Sequence, residues 1–351
     1  LLNRNRLQKL QGGLSMKMSD IAELAGVSIA TVSRVLNEPE KVKPDTREKV
    51  QKILTENNFI ANAVARGLAI NSMKTIGVLT VDIRDSYFAQ VTYTIERKFT
   101  ELGYNVLLSN TGGELGEKEK YLRVMLENQI DGLILVGSVF KERSGNKHIL
   151  AASEKVPVVM VNSLLVGRNV YSILCDDVHG VREAVRHLVQ NGKKALWYLN
   201  DVKSFSGLAK LEGFKAEAAS QGISADVIEI SRSLEGGRDG VYQIKNGGCP
   251  FDAIITGEDV TAVGAMQALN ELGFKIPEDV AVIGYNNSLL AEAATPTLTS
   301  VDSMAEAMAS SAVQVLFEVL QGKQVSQKVV LTPTLIIRDS TSVRNKPSGD
   351  D

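Results

Sequence analysis

From Lys74 onward, short apolar runs alternate with amphipathic stretches. The runs are Ile76–Leu79, Val106–Leu108, Gly132–Val136, Pro157–Val161, Ala195–Leu199, Ala253–Ile255 and Val280–Ile283. Between them, helical spacing of apolar residues predicts helices over Phe88–Leu102, Glu117–Asn128, Val178–Gln190, Leu208–Gln221 and Val260–Leu272. Strands buried on both faces read as continuous apolar runs, and their alternation with helices predicts parallel sheets in an α/β fold. The units are too many for one sheet and fall into two similar sets, about 73–170 and 171–298.

The chain before Lys74 follows another pattern. Ser19–Asn37 reads as two short helices around a tight turn. Ile21, Ala22 and Ala25 give the first an apolar face, and Gly26 sits where the chain must reverse. Ser28 can cap the second helix, and Val32 and Val35 point back at the first. This leaves Ile29, Ala30, Thr31 and Arg34 near the exposed leading end, as in a helix-turn-helix whose second helix enters the DNA major groove. A helical hairpin packed on something else is the competing reading. Pro44 then suits the first position of a third helix, whose apolar residues Val50, Ile53, Leu54 and Phe59 would close a small core.

With these residues the chain resembles the LacI/GalR family of bacterial transcription regulators. The resemblance rests on Ala25-Gly26-Val27-Ser28, on Thr31-Val32-Ser33-Arg34-Val35 with Asn37, and on Thr46-Arg47-Glu48-Lys49-Val50. Asn62-Ala63-Val64-Ala65-Arg66-Gly67-Leu68-Ala69 matches the family's hinge helix, and the likeness spans about Met16 to Thr341. It implies a small all-α helix-turn-helix head on a two-lobed, periplasmic-binding-protein-like core of Rossmann-like sheets joined by three crossovers. The expected division is 1–16 a disordered extension, 17–60 the head, 61–72 the hinge and linker, 73–341 the core and 342–351 a polar tail. Within the core, one lobe would take about 73–172 plus 300–331, the other 173–299 plus 332–341.

Charge agrees with a DNA-binding head. The chain carries a net −2, yet residues 1–72 hold 11 Lys and Arg against 7 Asp and Glu, leaving the body acidic. Counting noise in a short segment would look the same. Cys175 and Cys249 form no CxxC pair, so neither a disulfide nor a zinc site is expected, and a reducing cytoplasm is the natural setting. No apolar run reaches the roughly 18 residues a membrane span needs, and Leu1–Ser15 has no signal-peptide core. That segment reads as a disordered extension or as an upstream translation start.

The expected DNA-contacting residues are Ser28, Ile29, Ala30, Thr31, Ser33, Arg34 and Asn37. Ile29, Ala30 and Arg34 would read bases, while Ser28, Thr31 and Ser33 would mostly position the helix on phosphates. The resemblance adds Ala65 and Leu68 of the hinge, with Leu68 as a minor-groove wedge. It also implies a homodimer on a pseudo-palindromic operator. The apolar face Met308, Ala312, Val315, Leu316 and Val319 would either help form the pairing surface or cover its own sheet.

Ligands of open parallel sheets bind beyond the strands' carboxyl ends. There lie Asp82–Phe88, Asn162-Ser163, Glu258-Asp259 and Asn286-Asn287, with Phe205-Ser206 before a helix at the same edge. From these, Tyr87, Phe88, Asn162, Ser163, Ser206, Asp259 and Asn286, with aromatic, amide, hydroxyl and carboxylate groups that suit a small sugar-like effector, are the expected site residues, and the resemblance adds Lys210. Turns and helix caps would also use such residues. Asp259 is retained where family members hold a ligand hydroxyl or amino group. Lys210 stands where sugar- and purine-binding members usually have Arg, Asn286 replaces a common Asp, and Cys175-Asp176 replaces Asp-Asn. The head and hinge lie closest to the catabolite-control branch, whose corepressor is a phosphorylated carrier protein. Gln314 and Glu318, however, align with that branch's basic phosphoserine-gripping pair.

An enzyme is a distant alternative. The chain has no GxGxxG after a strand, no Walker A and no GxSxG, and His148, His179 and His187 lack metal-ligand spacing. No cofactor or metal is expected. A transport binding protein would fit the body but not the head.

Overall fold

The computed structural model describes residues 16–57, 72–201 and 203–342, and the chain divides into two units, residues 1–73 and 74–351. In the first unit, α1 (Met18–Ala25), α2 (Ile29–Asn37) and α3 (Pro44–Glu56) close on one small core. Gly26 ends α1 at φ 62°, a left-handed conformation that a Cβ would penalise. Ser28 caps α2 by accepting the Thr31 N–H at 3.1 Å. Pro44 opens α3, where its missing N–H costs nothing. Ile21, Ala22, Ala25, Val32, Val35 and Val50 are buried together, with Ile53 and Leu54 packed against them. Phe59, expected as part of this core, lies outside the described residues.

The second unit begins with β1 (Thr75–Thr80), α4 (Ser86–Glu101), β2 (Asn105–Asn110), α5 (Leu115–Glu127), β3 (Gly132–Val136), α6 (Lys147–Ser153), β4 (Val158–Val161) and β5 (Val170–Cys175). It continues with α7 (Asp177–Gln190), β6 (Ala195–Asn200), α8 (Phe205–Gln221), β7 (Ser224–Glu229), α9 (Leu234–Asn246), β8 (Ala253–Thr256), α10 (Asp259–Glu271) and β9 (Ala281–Tyr285). Last come α11 (Leu289–Ala293), β10 (Thr299–Asp302), α12 (Ala305–Leu320), β11 (Lys328–Leu331) and β12 (Thr334–Ile336). Two six-stranded sheets result, in the orders β11-β5-β4-β3-β1-β2 and β12-β10-β9-β8-β6-β7. Neighbours pair in parallel throughout, except β12, which runs antiparallel to β10.

The chain thus changes lobe after β5, after β10 and after β11. The boundaries expected near 172 and 300 each fall a few residues later in the chain, because β5 pairs with β4 through Ile173 and with β11 through Cys175, while β10 pairs with β9 through Val301. Of the two readings of the apolar face of α12, the structure shows the one in which it covers its own sheet. Met308, Ala312, Val315 and Leu316 are buried in the first lobe's own core, against α4 and the sheet, and Val319 is half-buried. Burying such side chains contributes about 1.5–3 kcal/mol each, which leaves this face with its own lobe.

Helix α9 lies close on α10 because both carry glycine at the contact. A Cβ on Gly237 would come within 2.1 Å of the Thr261 carbonyl, and one on Gly264 within 2.0 Å of that of Leu234. This contact fixes the β7–α9 loop, from which Arg232 projects. Among the described residues, no helix is long and apolar enough to cross a membrane.

Candidate functional site

In the head, the second helix divides its residues cleanly. Val32 and Val35 go to the core, which leaves Ile29, Ala30 and Arg34 exposed to solvent. Ser28 borders the same surface, and its Oγ lies 2.9 Å from that of Thr31. Thr31 and Ser33 are half-buried, and Asn37 is the last residue of α2. Ala65 and Leu68, with the rest of the expected hinge 62–69, lie outside the described residues.

In the core, a cavity of about 710 Å³ opens between the lobes at the carboxyl ends of their strands. Val81–Phe88 of the first lobe face Arg232–Glu235, Glu258–Val260 and Tyr285–Leu290 of the second. A small inner recess is lined by Tyr87, Phe88, Asn162, Ser206, Lys210, Glu258 and Asn286. Seven of the eight expected residues therefore line this cleft. Ser163 does not; it is fully buried and its hydroxyl has no hydrogen-bond partner among the described residues.

Local structure explains several of these positions. Asn162 and Asn286 each follow a strand with φ of 60° and 94°, a left-handed region that Asn tolerates better than most residues. Tyr87 and Phe88 begin α4, meet edge to face at 5.4 Å, and are held by the Asp85 cap. The Tyr87 hydroxyl is buried without a hydrogen-bond partner among the described residues, and burial pushes its pKa well above the usual phenol value. Lys210 Nζ donates to the Gly257 carbonyl at 2.7 Å and sits 3.7 Å from the Tyr285 ring centre. Ser206 hydrogen-bonds the buried Asp177 carboxylate, which also accepts the Tyr285 hydroxyl at 2.6 Å. Burial raises the Asp177 pKa, against the opposing pull of Lys210 and these hydrogen bonds.

Asp259 takes a different part from the one expected. It borders the cavity, but its carboxylate accepts the Ser288 N–H at 2.7 Å, the Ser288 hydroxyl at 2.8 Å and the Ser300 hydroxyl at 2.6 Å. It ties the β9–α11 loop to β10. The neighbouring carboxylate, Glu258, is the one that meets the recess. Its side chain is 12% exposed, it accepts the Asn286 amide, and its oxygens lie 3.4 Å from Arg232 and 3.9 Å from Lys210. Burial lifts its pKa to about 7 even against these two cations.

Arg232 was not among the expected residues, and Asp85 was expected only as part of the stretch Asp82–Phe88. Arg232 follows β7, whose alternating exposure left no continuous apolar run to mark a strand. Its guanidinium reaches Asp85 of the first lobe at 2.5 Å and lies 5.7 Å from the Phe88 ring centre. A second bridge joins the lobes where the hydroxyls of Ser138 and Ser204 meet at 2.6 Å.

Comparison with known proteins agrees with this architecture. Residues 17–62 match the model of bacterial regulatory proteins of the lacI family, and residues 185–341 that of a periplasmic binding protein-like domain. An HTH-type transcriptional regulator of Lachnoclostridium phytofermentans is 37% identical over 93% of this chain and 100% of its own length. The ribose operon repressor of Escherichia coli is 30% identical over 92% of this chain and 99% of its own. The lac repressor dimer bound to operator and the anti-inducer ONPF superposes with a TM-score of 0.84 at 27% identity, over 94% of this chain and 100% of that one. These relatives are regulators, not enzymes. Aligned from the capped turn of its head to the last strand of its core, the chain belongs to the lacI family of bacterial regulatory proteins and is a DNA-binding transcriptional regulator.

Proposed function

We propose that the protein is a cytoplasmic repressor of a carbohydrate-utilisation operon. It binds a pseudo-palindromic operator as a homodimer, and a small sugar-like effector in the interlobe cleft sets its DNA affinity. The observation that carries this reading is the cleft of about 710 Å³, built from both lobes and lined by carboxylate, amide, guanidinium and aromatic groups. Such a surface suits a hydroxyl-rich ligand, with donors and acceptors on the walls and ring faces at Tyr87 and Phe88. A ligand touching both lobes binds their closed arrangement better, and linkage then couples its affinity to that for DNA. The E. coli ribose operon repressor and the operator-bound lac repressor dimer support the same reading by likeness.

Glu258, Asn286 and Arg232 address the effector in this reading, with Lys210, Ser206 and Asn162 lining the recess and Asp259 holding the wall in shape. In the head, Arg34, Ile29 and Ala30 read bases, and Ser28, Thr31, Ser33 and Asn37 position the helix. A phosphorylated protein corepressor is less favoured, because Glu318 stands beside Gln314 at 3.5 Å, where a negative charge would repel a phosphate.

The test is a thermal-shift screen of neutral mono- and disaccharides on the full chain, followed by operator gel shifts with the best ligand. Asn286→Ala should weaken that ligand at least tenfold and leave operator binding without ligand unchanged. If no sugar raises the melting temperature or alters operator affinity, the assigned effector class is wrong.

A further inference from the structure

The innermost charged groups of the cleft form one cluster that draws on both lobes. Glu258, which follows β8, lies 3.4 Å from Arg232 after β7 and 3.9 Å from Lys210 on α8. Neither cation belongs to it alone. The Arg232 nitrogen that faces Glu258 is the one that meets Asp85 of the first lobe at 2.5 Å. Lys210 donates to the Gly257 carbonyl at 2.7 Å and also acts on the buried carboxylates of Asp177 and Asp201. Four carboxylates, those of Asp85, Asp177, Asp201 and Glu258, therefore share two cations.

The four are not held alike. Asp85 accepts two backbone N–H groups, Asp177 accepts the hydroxyls of Tyr285 and Ser206, and Asp201 accepts that of Thr261. Besides the two cations, the Glu258 carboxylate accepts only the Asn286 amide among the described residues. An amide both donates and accepts, so it serves a neutral acid as well as a carboxylate. Tyr87 of α4 and Tyr198 of β6 also face Glu258, and burial keeps both phenols neutral. At the mouth, Asp82 and Arg84 pair with each other at 2.6 Å, while the adjacent Asp259 is bonded to Ser288 and Ser300. Separating the lobes would remove Asp85, return Arg232 to Glu258 and admit water. Each of these changes favours the ionised form of Glu258.

We infer that closure of the two lobes takes up a proton at Glu258, so that acid favours the closed arrangement and alkali the open one without any ligand. The state that holds the proton more tightly gains population as pH falls. In the closed arrangement burial lifts the Glu258 pKa from the ordinary 4.5 to about 7. The advantage of the closed state is therefore full below the ordinary value and is lost as pH rises through about 7. This goes beyond the effector reading above, since the input is a proton and no effector takes part.

The test is double electron–electron resonance on the full chain, free of ligand, across the neutral pH range. Nitroxides are placed by Ile83→Cys and Leu289→Cys, exposed positions on opposite lobes, in a Cys249→Ser background that leaves only the buried Cys175. From about pH 5.5 to about pH 8.5 the ratio of short to long inter-label distances should fall about tenfold or more, with little change above about 7. Glu258→Gln should abolish this fall and keep the short distance throughout. Asp85→Asn should reduce it to about a few-fold, because Arg232 then serves Glu258 alone. The inference is overturned if the distances do not change with pH, if the short one gains as pH rises, or if Glu258→Gln responds as the parent does. A sugar that still raises the melting temperature after such a result would leave the effector reading standing.

Discussion

Arg232 of the second lobe meets Asp85 of the first at 2.5 Å, in the cleft where both line the wall. The same Asp85 carboxylate caps α4, accepting the N–H groups of Tyr87 at 2.9 Å and Phe88 at 3.4 Å. One side chain thus fixes the aromatic pair and receives the cation that crosses the cleft. Both partners are about three-quarters buried, with exposures of 27% and 25%, so the pair is screened less than a surface bridge. A double-mutant cycle with Arg232→Gln and Asp85→Asn, read by urea unfolding, should give a coupling of about 1–3 kcal/mol. A coupling below about 0.5 kcal/mol would rank the bridge with exposed ion pairs and remove it from the closure of the cleft.

Glu258 gives the core a pH dependence of defined sign. Burial lifts its pKa from the ordinary 4.5 to about 7. Between those values the folded protein binds more protons at this site than the unfolded chain does. Stability from this group is therefore full below the unfolded pKa and is lost as pH rises through about 7. Glu258→Gln, which cannot ionise, should be more stable than the parent at pH 8 by about 1–3 kcal/mol and should converge on it towards pH 5. Thermal melts across that range decide it. A variant less stable than the parent at pH 8 would mean that Arg232 and Lys210 outweigh desolvation.

Asp259 should behave as a structural residue. Three hydrogen bonds from Ser288 and Ser300 converge on it, and its side chain is buried. Asp259→Ala would strand three buried donors, so unfolding of the core should become easier by about 2–4 kcal/mol. Asn286→Ala, at the recess, should cost far less stability and more ligand affinity. If Asp259→Ala leaves the melting temperature unchanged yet abolishes sugar binding, Asp259 and Glu258 exchange roles.

Much of the fold was legible because the central strands are buried on both faces. Gly132–Val136 and Ala253–Ile255 read as unbroken apolar runs, and the strands they mark are buried along their whole length. Of the four edge strands, β2 was legible in the run Val106–Leu108, whereas β7, β11 and β12 were not. β7, with the sequence SADVIE, alternates in exposure, and so Arg232 beyond it had no strand to mark it. The cleft was legible as a place, since turns after parallel strands gather at one edge. Which carboxylate of Glu258-Asp259 meets the recess was not. That depends on where Ser288 and Ser300 sit, 29 and 41 residues beyond Asp259, and no local pattern reports it. The apolar stripe of α12 could serve a partner or its own sheet, and only the three-dimensional neighbours decide that.

The head offers a test that separates base reading from positioning. Ser28 caps α2 through its hydroxyl, so Ser28→Ala should lower the head's stability by about 1 kcal/mol and weaken binding to operator and random duplex alike. Arg34 lies further along the same helix, clear of the core that takes Val32 and Val35. A guanidinium there can pair with the O6 and N7 of a guanine in the major groove, an interaction that random DNA cannot supply at a fixed position. Arg34→Ala should therefore cost about 1–3 kcal/mol on the operator and little on random duplex, with head stability unchanged. The salt dependence of binding discriminates further. If Arg34 grips a phosphate, its removal should reduce the slope of log affinity against log salt by about one on both duplexes. If it reads a base, the variant should bind operator more weakly at every salt concentration, with the slope little changed. An equal weakening on operator and random DNA, with the shallower slope, would move Arg34 to the phosphates and leave Ile29 and Ala30 as the base-reading residues of α2.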